Sequence, residues 1–106
     1  MIAWEAKTAS FDVKTEWTED IGYLISVTGG TDITATLPKA ASRAGQVVYF
    51  YIVAIPGDNL VLTPASGDTV NGETVLSSNT ATDCIALCSD GGTDWLLVGE
   101  TLGGFS

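Results

Sequence analysis

Histidine is absent from this chain of 106 residues, and basic residues, cysteine and proline are scarce. The lack of histidine removes the commonest general base and both the Ser-His and Cys-His nucleophile pairs. The glycine pairs at 29–30 and 91–92 lack the spacing of a phosphate-binding loop, and no lysine follows them. The sequence therefore predicts no catalytic residues, no enzyme activity and no cofactor.

The chain has only two cysteines, Cys84 and Cys88. On a β-strand they would share a face with their Cα atoms roughly 13 Å apart, which is beyond the reach of a disulfide. With no histidine and no third cysteine, they cannot complete a four-ligand zinc site. We therefore expect free, buried cysteines that pack as small hydrophobic side chains.

Asp90 and Asp94 flank a Gly-Gly turn and are the clearest pair of acidic residues. Aspartate in turns commonly accepts hydrogen bonds from its own backbone, and this interpretation is favoured here. A calcium site is the alternative, because two carboxylates and several carbonyl groups lie close together in sequence, although six or more oxygens would be needed. The preferred prediction is no metal ligand, and whether this turn binds calcium stays open.

Positive charge is also scarce. The formal net charge is −9, and all four basic residues, Lys7, Lys14, Lys39 and Arg43, precede Gln46. Such a chain repels phosphate backbones, so we predict no nucleic-acid binding. No apolar run is long enough to span a bilayer, and we predict no membrane association. Apolar residues nevertheless make up 45% of the chain, and this surplus indicates a subunit interface.

The residues that are abundant favour β-structure. Short runs rich in Val, Ile, Thr and aromatic residues alternate with Gly, Pro, Asn and Asp. Gly29-Gly30 predicts a two-residue hairpin turn, and residues 39–45 are the one plausible helical turn. Strands are predicted near 10–14, 23–28, 32–37, 46–55, 59–63, 73–76, 83–89 and 95–99. The predicted fold is all-β: a single small antiparallel β-sandwich or barrel-like domain of about eight strands at 8–100, with an N-terminal arm at 1–7 and a flexible C-terminal tail at 101–106.

The run at 46–55 is apolar on both faces, which predicts a central strand of a two-layer fold. One face carries a set of alternating side chains: Val47, Tyr49, Tyr51 and Val53. Tyrosine is enriched at protein interfaces because its hydroxyl group tolerates a wet edge. These four residues are therefore the predicted oligomer interface.

An ordered set of motifs fills residues 36–99. They are Thr36-Leu37-Pro38, the small residues Ala40, Ala41, Ala44 and Gly45, the aromatic strand at 49–53, Leu60-Val61-Leu62-Thr63-Pro64, the turn at 67–72, Ile85-Ala86-Leu87, Ser89-Asp90-Gly91 and Trp95. This segment, about 60% of the chain, resembles a β-rich domain of tailed-phage virion proteins. Domains of that kind occur in head decoration proteins, head fibres and tail fibres and are commonly trimeric.

The resemblance implies a phage virion structural protein. The domain stands almost alone here with no fibre repeat after it, which favours a capsid decoration (cement) protein that binds the major capsid protein lattice as a homotrimer. It would lie on the outer surface of the phage head after synthesis in the host cytoplasm. The alternative is a receptor- or glycan-binding module of a phage tail appendage, with Trp17, Tyr23 and Trp95 as candidate sugar contacts.

The two termini each carry an aromatic residue, Trp4 in the arm and Phe105 in the tail. An aromatic side chain on a free terminus can anchor that segment to a neighbouring protein. Trp4 and Phe105 are therefore the predicted capsid-attachment residues. The competing interpretation is that each packs back on its own domain.

Overall fold

The computed structural model describes residues 2–13, 22–29, 31–55 and 58–106, with residues 2–5 and 22–26 described by their backbone. Within these residues the chain forms ten β-strands and one short 3-10 turn, Ala40–Ser42. The strands are β1 (Ile2–Lys7), β2 (Phe11–Asp12), β3 (Gly22–Thr28), β4 (Ile33–Thr36), β5 (Val47–Ala54), β6 (Leu60–Thr63), β7 (Thr69–Val70), β8 (Leu76–Ser78), β9 (Cys84–Ser89) and β10 (Asp94–Glu100). The all-β prediction is confirmed.

The strands form two sheets. The six-stranded sheet has the order β1-β3-β5-β9-β10-β7, and the four-stranded sheet has the order β2-β4-β6-β8. From β1 to β9 the chain moves to the other sheet after every strand. β5 lies in the interior of the six-stranded sheet, as predicted for the apolar run at 46–55.

The prediction of an antiparallel arrangement is wrong for most of the molecule. β1, β3 and β5 pair in parallel in the six-stranded sheet, and β2, β4 and β6 do so in the four-stranded sheet. Parallel neighbours need a long crossover connection, and here each crossover is a strand of the opposite sheet. The chain therefore winds as a short coil, and paired residues such as Ile2 and Gly22 are one turn of the coil apart.

The prediction of a hairpin at Gly29-Gly30 is also wrong, because the chain changes sheets here. β3 and β4, the strands on either side of this pair, belong to different sheets and are not neighbours. The Gly29 N–H donates to the Ala54 carbonyl oxygen at 3.0 Å, which continues the pairing of β3 with β5 past the end of β3. Gly29 thus lies where the chain leaves the six-stranded sheet, and Gly30 lies outside the described residues.

Antiparallel strands complete the coil at its other end. β8 pairs antiparallel with β6, and β9 pairs antiparallel with β5 and with β10. β7 then adds to β10 in parallel. About ten strands replace the eight predicted: β1 and the two-residue β7 were not foreseen, and the run predicted at 73–76 is a strand at Leu76–Ser78.

The core lies between the two sheets. Alternate residues on β4, β5, β6 and β9 point into it, including Phe50, Ile85 and Leu62, none of which is exposed. Trp95 on β10 is also fully buried, and its indole N–H donates to the Pro38 carbonyl oxygen at 3.1 Å. This bond satisfies the one polar group that the ring carries into the interior. Within the described ranges, no helix has the length and apolar character needed to span a bilayer.

Candidate interaction surface

The six-stranded sheet turns one face to the core and the other away from it. On β5, Val48, Phe50 and Ile52 are fully buried, whereas Val47, Tyr49 and Tyr51 are half-buried and Val53 is 44% exposed. The four residues predicted as an oligomer interface therefore share the outward side of β5. Whether they contact another subunit stays a prediction.

The same alternation extends the outward side across two more strands. On β9, Ile85 and Leu87 are buried in the core, while Cys84, Ala86 and Cys88 alternate with them and are half-buried. On β10, Leu96 and Val98 are 41% and 59% exposed. We call this set the outer face: Val47, Tyr49, Tyr51, Val53, Cys84, Ala86, Cys88, Leu96 and Val98. None of its nine side chains carries a formal charge.

The register aligns most of these residues in rows across the strands, whereas Val53 and Val98 lie at the two positions where the register shifts. Val47 pairs with Cys88, which pairs with Leu96, and Tyr49 pairs with Ala86, which pairs with Gly99. Cross-strand neighbours on one face have Cβ atoms about 4.5–5.5 Å apart, so the outer face is continuous.

The predicted attachment residue Trp4 is placed by its backbone in the same row. Trp4 pairs with Leu24, and Leu24 pairs with Tyr49. β1 is paired along its length with β3, so residues 2–7 belong to the six-stranded sheet and are not a separate arm. The side chains of Trp4 and of the candidate sugar contact Tyr23 are not among the described parts of the chain, and the other candidate, Trp17, lies outside the described residues altogether.

The second predicted attachment residue, Phe105, packs back on its own domain. Its side chain is 8% exposed and belongs to the hydrophobic core. The next residue, Ser106, exchanges two backbone hydrogen bonds with Ser77 of β8, at 3.0 and 3.1 Å. The tail predicted to be flexible is therefore joined to the fold, and Phe105 offers no ring at the surface in this conformation.

The cysteines are free, as predicted, but they are not core residues. Both lie half-buried on the outer face because β9 presents its even-numbered side chains outward. The pKa of the Cys84 thiol is raised, first by burial and then by the nearby charge of Asp83. The sequence predicted that Cys84 and Cys88 share a face of a strand; it did not indicate that this face points away from the core, and Leu96 and Val98 were missed.

The carboxylates of Asp90 and Asp94 are occupied by hydrogen bonds. Asp90 accepts from the backbone N–H of Gly92 at 2.7 Å, which is the expected aspartate turn, and Asp94 accepts from the Thr69 hydroxyl at 2.8 Å and the Gly72 N–H at 3.0 Å. In the part of the chain that the structure describes, no three acidic or cysteine side chains converge as metal ligands would. Asp90 therefore makes the turn hydrogen bond that was expected, whereas Asp94 instead joins this turn to residues 69–72.

A polar groove lies on the other sheet. It has a volume of about 470 Å³ and is lined by Ser10, Phe11, Asp12, Thr34 and Thr36. The Lys7 ammonium group lies over the Phe11 ring, 5.3 Å from the ring centre. Trp95, the candidate sugar contact that the structure describes, is fully buried and cannot stack on a ligand.

Comparison with known proteins gives no assignment: no protein-family model matches the chain, and no curated protein matches it. What this molecule does must therefore be argued from its own residues. The outer face has no charged side chain and carries three of the five exposed large apolar side chains among the described residues: Val53, Leu96 and Val98.

Proposed function

We propose that this protein is a phage virion structural protein, a capsid decoration protein that binds and stabilises the head shell as a homotrimer. The observation that carries the proposal is the outer face, which combines aliphatic side chains with two tyrosines and has no charge. Interface cores are depleted in charged residues and enriched in tyrosine. The phage particle as the setting comes from the resemblance of residues 36–99 to virion domains.

The outer face supplies the contact between subunits in this proposal. Val53, Leu96 and Val98 are each more than 40% exposed in the single chain, and burial of such side chains stabilises association by about 25 cal/mol per Å² of apolar surface. A shell-bound trimer stabilises the shell by mass action, because the decoration protein binds the assembled lattice and not its separated parts.

The first test is the oligomeric state of the chain and of a variant with a charge in the outer face. Val53→Glu should convert the trimer to a monomer in sedimentation velocity at micromolar concentration, because the carboxylate would be buried against an apolar partner. Val75 is a matched control: it is 42% exposed and lies outside the outer face, so Val75→Glu should leave the trimer intact.

Cys84 and Cys88 give a second readout of the same contact. They are the only thiols in the chain and both lie on the outer face, so assembly should slow their alkylation, and Val53→Glu should restore the faster rate. A native chain that sediments as a monomer, or a Val53→Glu variant that remains a trimer, would remove the basis of the proposal. Binding of the trimer to isolated phage heads, with none to tails, would separate the head assignment from the tail alternative.

A further inference from the structure

The polar groove lies on the four-stranded sheet, on the side that faces away from the core. Strand β4 buries Ile33 and Ala35 and leaves Thr34 and Thr36 half-buried, so the two threonine side chains point outward. Asp12 of β2 is exposed and lies opposite Thr36. Hydroxyl and carboxylate groups therefore stand side by side on two parallel strands that are about 4.8 Å apart.

Hydrogen bonds hold β2 against β4 at both ends of the groove. At one end the Ser10 hydroxyl oxygen accepts from the Thr34 N–H at 2.9 Å, and at the other the Val13 N–H donates to the Thr36 carbonyl oxygen at 2.8 Å. The Val13 side chain is buried in the core. The groove is thus held in place by the fold before a ligand arrives, which lowers the entropy cost of binding.

The groove also has hydrogen-bonding groups that the fold does not use. Among the hydrogen bonds between described residues, none involves the Asp12 carboxylate or the hydroxyl groups of Thr34 and Thr36. The Ser10 oxygen accepts one hydrogen bond, and its O–H is left to donate another. A carboxylate supplies acceptors only, whereas each hydroxyl both donates and accepts. The groove therefore offers donors and acceptors together.

This set of groups favours a neutral ligand that is rich in hydroxyl groups. Asp12 and the net charge of −9 disfavour an anion, and within the described ranges no three acidic or cysteine side chains converge on a metal ion. Four of the five lining residues are polar, which disfavours an apolar ligand. The edge strand β2 has two residues, and so short an edge limits pairing with an added peptide strand.

We propose that the polar groove binds a neutral saccharide unit. The Asp12 carboxylate accepts hydrogen bonds from sugar hydroxyl groups, and the hydroxyls of Thr34 and Thr36 donate to or accept from the same sugar. The groove volume of about 470 Å³ lies within the range of small-molecule sites, about 300–1,000 Å³. The outer face belongs to the other sheet, across the core, so contact through it leaves the groove open. The site goes beyond the proposed function and does not depend on it.

The test is an NMR titration of the native chain with the methyl glycosides of glucose, galactose, mannose and N-acetylglucosamine, followed through the backbone amide signals. At least one of them should give saturable shifts at residues 10–12 and 34–36. A Kd of about 1–10 mM is expected, because an open site that relies on hydrogen bonds binds weakly. Glucuronate, which is negatively charged, should bind more weakly than the best neutral glycoside, and glycerol should give no saturable shift.

Lactose and maltose distinguish the two sources of such a unit. Tighter binding of a disaccharide than of its single units would identify a glycan chain as the source, and equal binding would identify a free sugar. Either result supports the site, because the same groups in the groove recognise the sugar.

Substitutions in the groove identify the groups that bind. Thr36→Val removes one hydroxyl and keeps the shape of the side chain, so it should weaken binding about three- to ten-fold. Asp12→Ala should weaken it by about ten-fold, because a charged acceptor makes the stronger hydrogen bonds. Thr63→Val is the matched control: Thr63 lies opposite Thr36 on β6, on the same side of the sheet, and does not line the groove. It should bind as the native chain does, and so should Val53→Glu.

The absence of saturable shifts with every neutral glycoside would overturn the site. Equal losses of affinity in Thr36→Val and Thr63→Val would do the same, as would glucuronate binding more tightly than the neutral sugars. Because Val53→Glu is measured alongside, failure of the saccharide site is distinguished from failure of the trimer.

Discussion

Thr82 holds a backbone conformation that branched side chains rarely adopt. Its φ is +67°, in the left-handed region, where a β-branched residue is a genuine outlier. The Thr82 N–H donates to the Ile52 carbonyl oxygen at 2.7 Å. The next residue is Asp83, which together with Glu100 accepts backbone hydrogen bonds from residues 101–106, the C-terminal strap. The strained residue thus fixes the turn that delivers Asp83 to its buried position.

Replacing this residue with glycine should stabilise the protein. Relief of left-handed strain contributes about 1–3 kcal/mol, and the greater freedom of glycine in the unfolded chain offsets about 0.4–1 kcal/mol of that. We therefore expect Thr82→Gly to raise the free energy of unfolding by about 1 kcal/mol in urea titrations. The neighbouring exposed residue supplies the control: Ala81→Gly should lower it slightly, and a lower value for Thr82→Gly would contradict the strain argument.

At the scale of single elements, the sequence predicts a strand best where a long apolar run is bounded by turn residues. β5 and β9 were located to within a residue or two because their apolar runs are long and bounded by turn residues. Their partners were not predictable, since alternation fixes which residues share a face but not which strand lies beside it. The parallel direction of pairing was missed because each crossover here is a strand. The sequence therefore lacks the helical pattern that usually indicates a crossover between parallel strands.

In the candidate site, too, the sequence predicted which residues share a face of a strand but not which distant segments meet. Val47, Tyr49, Tyr51 and Val53 were grouped correctly because residues two apart share a face of any strand. Phe105 was placed on a free tail because Gly103-Gly104 reads as flexible. The structure instead uses Gly103 at a φ of +72° to turn the strap back toward β8. The carboxylates that hold the strap lie at residues 83 and 100, and nothing in their spacing indicates that they meet.

Gly104 is the element-scale position where a single methyl group should release the strap. A Cβ atom there would lie 2.5 Å from the Thr80 hydroxyl oxygen, 2.7 Å from that of Ser78 and 2.8 Å from an Asp83 carboxylate oxygen. Gly104→Ala should therefore break the Gly104–Asp83 hydrogen bond and leave a buried acceptor short of a donor, at a cost of about 1–3 kcal/mol.

Differential scanning calorimetry of Gly104→Ala beside Gly99→Ala measures that cost against a matched change. A Cβ at Gly99 meets only the Ala86 Cβ at 4.0 Å, so Gly99→Ala should stay within about 0.5 kcal/mol of the native chain. Equal melting temperatures for the two variants would show that the side chains around Gly104 move aside without loss.

For the whole molecule, the dominant feature is its net negative charge of −9. Nine net negative charges on a chain with a Cα radius of gyration of 12.4 Å repel one another, and net charge far from zero destabilises a compact state. Raising the ionic strength screens this repulsion, since the Debye length falls from about 30 Å at 0.01 M to about 8 Å at 0.15 M.

The melting temperature should therefore rise with sodium chloride between these two concentrations. The measurement belongs in the Val53→Glu background, because salt could also favour trimer formation and raise the melting temperature by mass action. Asp58→Asn, which removes one of the acidic residues, should reduce the slope. A melting temperature that falls with salt would mean that favourable ion pairs outweigh the repulsion.

The coil formed by β1 to β6 also determines how many strands each sheet contains. Each turn of the chain adds one strand to each sheet in the same direction, and neighbouring strands lie about 4.8 Å apart. A duplicated turn inserted between β2 and β3 would lengthen both sheets by that one step and leave the spacing of residues along each strand unchanged. A protein built in this way can change its length in equal increments, and the antiparallel end with its strap would remain the fixed terminus from which that length is counted.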